Sequence, residues 1–149
     1  MVNDEPKLEI RNSKIGQNRP TKAGAVKDFK DLMAWKLARE LRRAIYEATK
    51  RMPAEEKYVL IAQMRRAAIS VTANLAEGFG RFSYQENLQF CRHARGSAME
   101  ERDHLTTALD AGYITKDDWK TRDDLAQRVI QVVNGYIRST RSRQKTSES

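Results

Sequence analysis

From Ala54 to Ser149 the chain contains no proline; its three prolines are Pro6, Pro20 and Pro53. Proline lacks an amide hydrogen and clashes with the preceding helical turn, so this stretch is free of the residue that most reliably breaks a helix. Across it apolar residues recur at steps of three and four, and no segment alternates with the two-residue period of a strand. The chain is thereby directed toward long amphipathic helices and an all-α fold. Hydrophobic residues at 40% and charged residues at 32% suit such helices in a soluble protein rather than a disordered polymer. A length of 149 residues is that of one ordinary domain, able to bury a core without staples.

Four helices are expected. The first begins near Asp31, a candidate N-cap, and stops before Pro53; Ala34, Leu37, Ala38, Leu41, Ile45, Ala48 and Met52 form its apolar stripe. Lys36, Arg39, Arg43 and Lys50 line its far side, with Trp35 and Tyr46 beside them, and Glu47 is placed to pair with Arg51. The second runs from Ala54–Glu56 to Glu77 with Gly78 as its C′ residue, and Ile61, Met64, Ala68, Val71 and Leu75 make its main stripe. Leu60, Ile69 and Ala73 extend apolar character around it, which suggests that a subunit interface covers a second side. The third opens with the capping box Ser83-Tyr-Gln-Glu86 and ends at Gly112, with Phe90, Cys91, Ala94, Ala98, Leu105 and Ala108 inward. The small residues Gly96, Ser97 and Ala98 invite close approach of another helix. The fourth opens at Thr115, with Leu125, Val129, Val132, Val133 and Tyr136 inward and Trp119, Ile130 and Ile137 broadening the stripe. Short connections make an antiparallel up-and-down four-helix bundle the natural solution, over residues 29–138. Residues 1–28 read as a flexible arm and residues 139–149 as a basic, disordered tail that frays from Arg138 onward.

The formal charge of +8 is unevenly placed. Residues 1–30 carry +3, residues 31–137 carry +2 and residues 138–149 carry +3, so most of the excess belongs to the two ends. A basic balance of this kind is only a moderate pointer to nucleic acid. A single cysteine, Cys91, excludes an intrachain disulfide and fits a reducing compartment. The first residues, MVNDEPKLEIRNSK, lack the apolar core of a secretory signal, and nothing approaches the roughly 20 apolar residues of a membrane span. The expectation is a cytoplasmic protein with no membrane partner.

No catalytic constellation assembles. Glu101-x-x-His104 is half of a di-iron motif, but the only other histidine, His93, lies on the same helix without a Glu three residues before it. The residues therefore point to no metal and no cofactor, and Glu101, which lies in an apolar stripe, is expected to pair with Arg65 or Arg66. Cys91 reads as a small core residue, since His93 projects from another face. Gly78-Phe-Gly80 is too short for a phosphate-binding loop. Gln63, Arg66, Ser70, Asn74 and Glu77 form one polar ridge along the second helix. The ridge is either a solvated edge or a hydrogen-bonded seam that sets register between helices or subunits.

The run from Gln63 to Arg81, QMRRAAISVTANLAEGFGR, resembles the central motif of the bacterial four-helix-bundle proteins encoded in 23S rRNA intervening sequences. Asp31-Leu-Met-Ala-Trp35 and Ala94-Arg-Gly-Ser-Ala-Met-Glu100 resemble that family's first-helix opening and third-helix signature, and the match spans roughly residues 29 to 137. Glu101 departs from the pattern, which has an apolar residue there. The resemblance implies a homo-oligomer, a pentameric ring of bundles. It also implies kinship with the accessory variability determinant proteins of diversity-generating retroelements, similar bundles that bind a reverse transcriptase and nucleic acid through a basic surface.

Two functions compete. In the first, an oligomeric accessory protein binds RNA or DNA, with phosphate contacts from Lys36, Arg39, Arg43, Lys50, Arg81, Arg138, Arg141, Arg143 and Lys145. In the second, the bundle is a protein-interaction scaffold whose basic ends serve solubility. An enzyme is not expected.

Overall fold

A computed structural model of the protein describes residues 26–149. The expected arm, residues 1–28, lies almost wholly outside them. Four helices follow: α1, Met33–Lys50; α2, Leu60–Phe79; α3, Tyr84–Asp110; and α4, Lys116–Ser147. Short 3-10 turns at Phe29–Asp31 and Ala54–Glu56 precede α1 and α2. Among the described residues there is no strand.

Cross-helix contacts establish the topology. Arg42 meets Thr72 and Arg65 meets Thr49 between α1 and α2; Arg66 meets Glu100 and Ser70 meets Ser97 between α2 and α3; Arg95 meets Asn134 and Arg102 meets Asp123 between α3 and α4. Arg122 closes the circuit by donating to the Ala44 carbonyl of α1 at 3.0 Å. In the first three interfaces the numbers rise on one helix as they fall on the other, so consecutive helices are antiparallel. The expected up-and-down bundle is the observed fold.

The stripes expected for α1 and α2 are buried throughout, with Ala38, Leu41, Ile45, Met64, Ala68 and Val71 fully so. In α3 the buried side is Leu88, Cys91, Ala94, Ala98, Leu105 and Ala108, with Phe90 half-buried. In α4 the stripe is displaced: Ala126, Val129, Val133 and Ile137 are buried, whereas Leu125, Val132 and Tyr136 are half-buried flanks. The true phase carries Arg122 and Asp123 inward at its start, and these charged residues disguise it in the sequence.

Several expected boundaries move for local reasons. The Asp31 carboxylate accepts the Lys27 and Asp28 amides, at 3.1 and 3.0 Å, which holds its pKa below the usual range. It therefore serves the 3-10 turn, and α1 starts after Leu32 with no side-chain cap. Ala54–Glu56 likewise forms its own turn, and α2 starts at Leu60, whose amide is accepted by the Glu56 carboxylate at 3.2 Å. Gly78 is an interior residue of α2 rather than its C′ position. Its value is space, because a Cβ there would lie 2.8 Å from the Phe90 Cβ. Ser83 and Thr115 cap α3 and α4 as expected, accepting the Glu86 and Asp118 amides at 3.2 and 3.1 Å. Gly112, at φ +75°, follows α3 in the left-handed conformation that glycine adopts without penalty.

The basic segment expected to fray is instead helical through Ser147. It has no Gly or Pro. The hydroxyls of Ser142, Thr146 and Ser147 donate back to carbonyls one turn earlier, at 3.1, 3.1 and 2.8 Å, and Thr140 is buried. Cations near a helix C-terminus also favour its dipole.

Candidate functional site

On α1, Lys36, Arg39, Arg43 and Lys50 are all exposed. They are not equally free. Lys50 pairs with Glu47 at 3.0 Å, which lowers the Glu47 pKa and replaces the expected partner Arg51. Arg39 stands 5.8 Å over the ring of Trp35. Trp35 is buried rather than displayed, its ring edge-on to Phe29 at 5.3 Å. Arg43, with Arg42, Tyr46, Glu47 and Ile69, lines an open groove of about 700 Å³ between α1 and α2.

The antiparallel order brings the start of α1, the α2–α3 connection and the close of α4 to one end of the bundle. Lys36, Arg39, Arg81, Arg138, Arg141, Arg143 and Lys145 therefore gather toward that end, while Lys50 lies at the other. Arg81 is exposed but tied, bonded to Glu77 at 2.8 Å and 5.0 Å over the Phe90 ring. Arg138, Arg141, Arg143 and Lys145 are exposed, and among the described residues none lies within pairing distance of a carboxylate. On a helix, Arg138, Arg141 and Lys145 share one face, and Arg143 points elsewhere.

The polar ridge of α2 is a seam between helices of one chain. Arg66 donates to Gln63 on its own helix and to Glu100 on α3, which also lies 3.2 Å from His104. Ser70 and Ser97 share a hydrogen bond of 2.8 Å, and Asn74 donates to both the hydroxyl and the carbonyl of Ser70. Glu77 turns aside to Arg81. Gln63, Arg66 and Glu77 are exposed and Ser70 and Asn74 half-buried, so the seam runs along the edge of the α2–α3 contact. Ser97 lies in that contact and Ala98 is fully buried, but Gly96 faces open space.

Glu101 differs most from expectation. It is fully buried, and among the described residues neither carboxyl oxygen has a hydrogen-bond partner. Arg66 is taken by Glu100, and Arg65 reaches Thr49 and the ring of Tyr46, at 2.9 and 4.6 Å. Burial, reinforced by the neighbouring Glu100 charge, pushes the Glu101 pKa up to about 9. Cys91 is buried in the core, where desolvation lifts its thiol to about 11 and keeps it un-ionised at neutral pH. Among the described residues no three His, Cys, Asp or Glu side chains gather as a metal would require, and no helix is long and apolar enough to cross a membrane.

Two polar clusters were missed from the sequence. Asp123 is buried and accepts two bonds from Arg102, at 2.8 and 3.3 Å, and one from Gln127 at 2.8 Å. Extending the α4 stripe one turn back from Ala126 would have found it. Asn87 is buried and donates to the Gly78 carbonyl at 2.8 Å, joining the α2–α3 corner; nothing in its sequence context signals that role.

The family model of the 23S rRNA-intervening sequence protein matches residues 30–135. The chain belongs to the 23S rRNA-intervening sequence protein family. A solved structure from Bacteroides thetaiotaomicron VPI-5482, described as a protein with unknown function from the S23 ribosomal protein family, is similar at a TM-score of 0.66 and 20% identity. The match covers 70% of this chain and 98% of that one, and it shows the fold alone. No curated protein matches the chain. The basic end of α4 lies beyond the residues that match the family model.

Proposed function

We propose that this 23S rRNA-intervening sequence family member is a non-enzymatic, homo-oligomeric bundle, a pentameric ring, that holds RNA or DNA through basic surfaces. One observation carries the nucleic-acid reading. The last turns of α4 display Arg138, Arg141, Arg143 and Lys145 on a helix where no carboxylate among the described residues pairs with them. Phosphate contacts of this kind position a backbone without reading sequence. Self-association is supported by the outer side of α2, where Ala62, Ile69 and Ala73 are exposed, Ile69 at 43%. A ring repeats each patch and turns modest affinity into avidity. A nucleic-acid enzyme such as a reverse transcriptase is the polypeptide partner compatible with that role. A protein-interaction scaffold with no nucleic-acid role would instead use the Tyr46–Ile69 groove.

Binding of a structured RNA at low salt, followed by fluorescence anisotropy, tests the reading. Affinity should fall as salt rises and drop by roughly tenfold or more when Arg138, Arg141 and Lys145, or Lys36, Arg39 and Arg43, become Glu. No detectable binding, or affinity indifferent to both sets of reversals, refutes it.

A further inference from the structure

At the basic end of the bundle, two large aromatic side chains stand in water. Phe82, in the α2–α3 connection, has a relative exposure of 106%, and Tyr84, the first residue of α3, one of 40%. Neither supports the core, and both sit beside cations: Arg81 precedes Phe82, and Arg143 faces Tyr84 across a cleft of about 370 Å³. Ser142, Thr146 and Ser147 complete the lining. Their protons are committed to backbone carbonyls, which leaves the oxygen lone pairs to accept. The cleft thus combines a tyrosine ring, a guanidinium that meets no carboxylate among the described residues, and hydroxyl acceptors.

We propose that this end of the bundle is a binding site for single-stranded nucleic acid, in which unstacked bases lie on Phe82 and Tyr84 while Arg143 takes the adjoining phosphate. Each element matches one part of a nucleotide: ring for base, guanidinium for phosphate, hydroxyl oxygens for sugar hydroxyls or base amino groups. The strand must be single. In a duplex the base faces are already stacked on each other, and an aromatic ring projecting from a loop meets only the phosphate backbone. The proposal rests on the nucleic-acid reading above and narrows it to a strand type and a place.

The full-length protein is titrated with a labelled single strand of about 12 nucleotides, and with the same strand in duplex form. Replacing Phe82 and Tyr84 together by Ala should weaken single-strand binding about tenfold or more while leaving duplex binding within about twofold. Tyr84→Phe should bind as the parent does, and Arg143→Gln should weaken the single strand. All these side chains are exposed, so unchanged melting by circular dichroism accompanies each result. Equal losses for strand and duplex, or single-strand affinity that ignores the aromatic substitutions, overturns the proposal; the second outcome is also what a protein occupant would give. If the parent binds neither form, the nucleic-acid reading itself fails. If it binds both and responds only to reversal of Lys36, Arg39 and Arg43, that reading stands and this site falls.

Discussion

Glu101 is a carboxyl group fully enclosed by the core, without a hydrogen-bond partner among the described residues, and its pKa stands at about 9 against an ordinary 4.5. The folded chain keeps this proton up to about pH 9, whereas the unfolded chain releases it near 4.5. Unfolding between those values therefore releases a proton, and the contribution of Glu101 to stability, fully present below pH 4.5, is lost as pH rises toward 9. Chemical denaturation from pH 5 to 9 should show stability falling with pH, and Glu101→Gln should flatten the profile. Glu101→Met, similar in volume and apolar, should stabilise by about 1–3 kcal/mol at pH 5, with a larger gain at pH 8. A parent profile as flat as that of the Gln variant would contradict this assignment. The position of Glu101 in an apolar stripe was visible in the sequence. Its solitude was not, because Arg65 and Arg66 stood at suitable spacing, and only the assembled bundle shows that Thr49, Tyr46 and Glu100 occupy them.

At the scale of elements, caps and stripes were legible where one turn of chain decides the outcome. Ser83 and Thr115 mark the starts of α3 and α4 because a hydroxyl three residues before an amide has little other choice. Asp31 misled because a competing turn upstream claims its carboxylate, and the end of α4 misled because polar composition was read as fraying. Gly78 misled in a different way. Its role depends on Phe90 of another helix, which local pattern does not contain. Gly78→Ala should therefore destabilise by about 1–3 kcal/mol through overpacking, despite the better helix propensity of alanine. Gly96→Ala, with nothing within 4 Å of the added methyl, should instead stabilise by up to about 1 kcal/mol. Urea midpoints distinguish the two, and equal shifts of the same sign would show that the α2–α3 corner is not as tight as described.

For the whole molecule, the sequence indicated four helices and the identity of most exposed cations, but not their grouping. Lys36 and Lys50 stand at opposite ends of α1, and antiparallel packing brings Arg81 and the close of α4 to the Lys36 end. The apolar excess of α2 was half right: Leu60 is covered within the chain, and Ala62, Ile69 and Ala73 are not. The proposed assembly is tested on that outer side. Native mass spectrometry at micromolar concentration should detect a pentamer, and Ile69→Asp with Ala73→Glu should release monomers that remain helical. A monomeric parent, or an oligomer indifferent to both changes, removes the ring. At the close of α4 the like charges of Arg138, Arg141 and Lys145, at spacings of three and four, repel one another along the helix, by about 0.2–0.5 kcal/mol per pair. An anion seated there relieves that repulsion, so ligand affinity and the firmness of the last helical turns are reciprocally linked. Anything that stiffens those turns tightens the grip, and anything that grips them slows the exchange of their amide hydrogens.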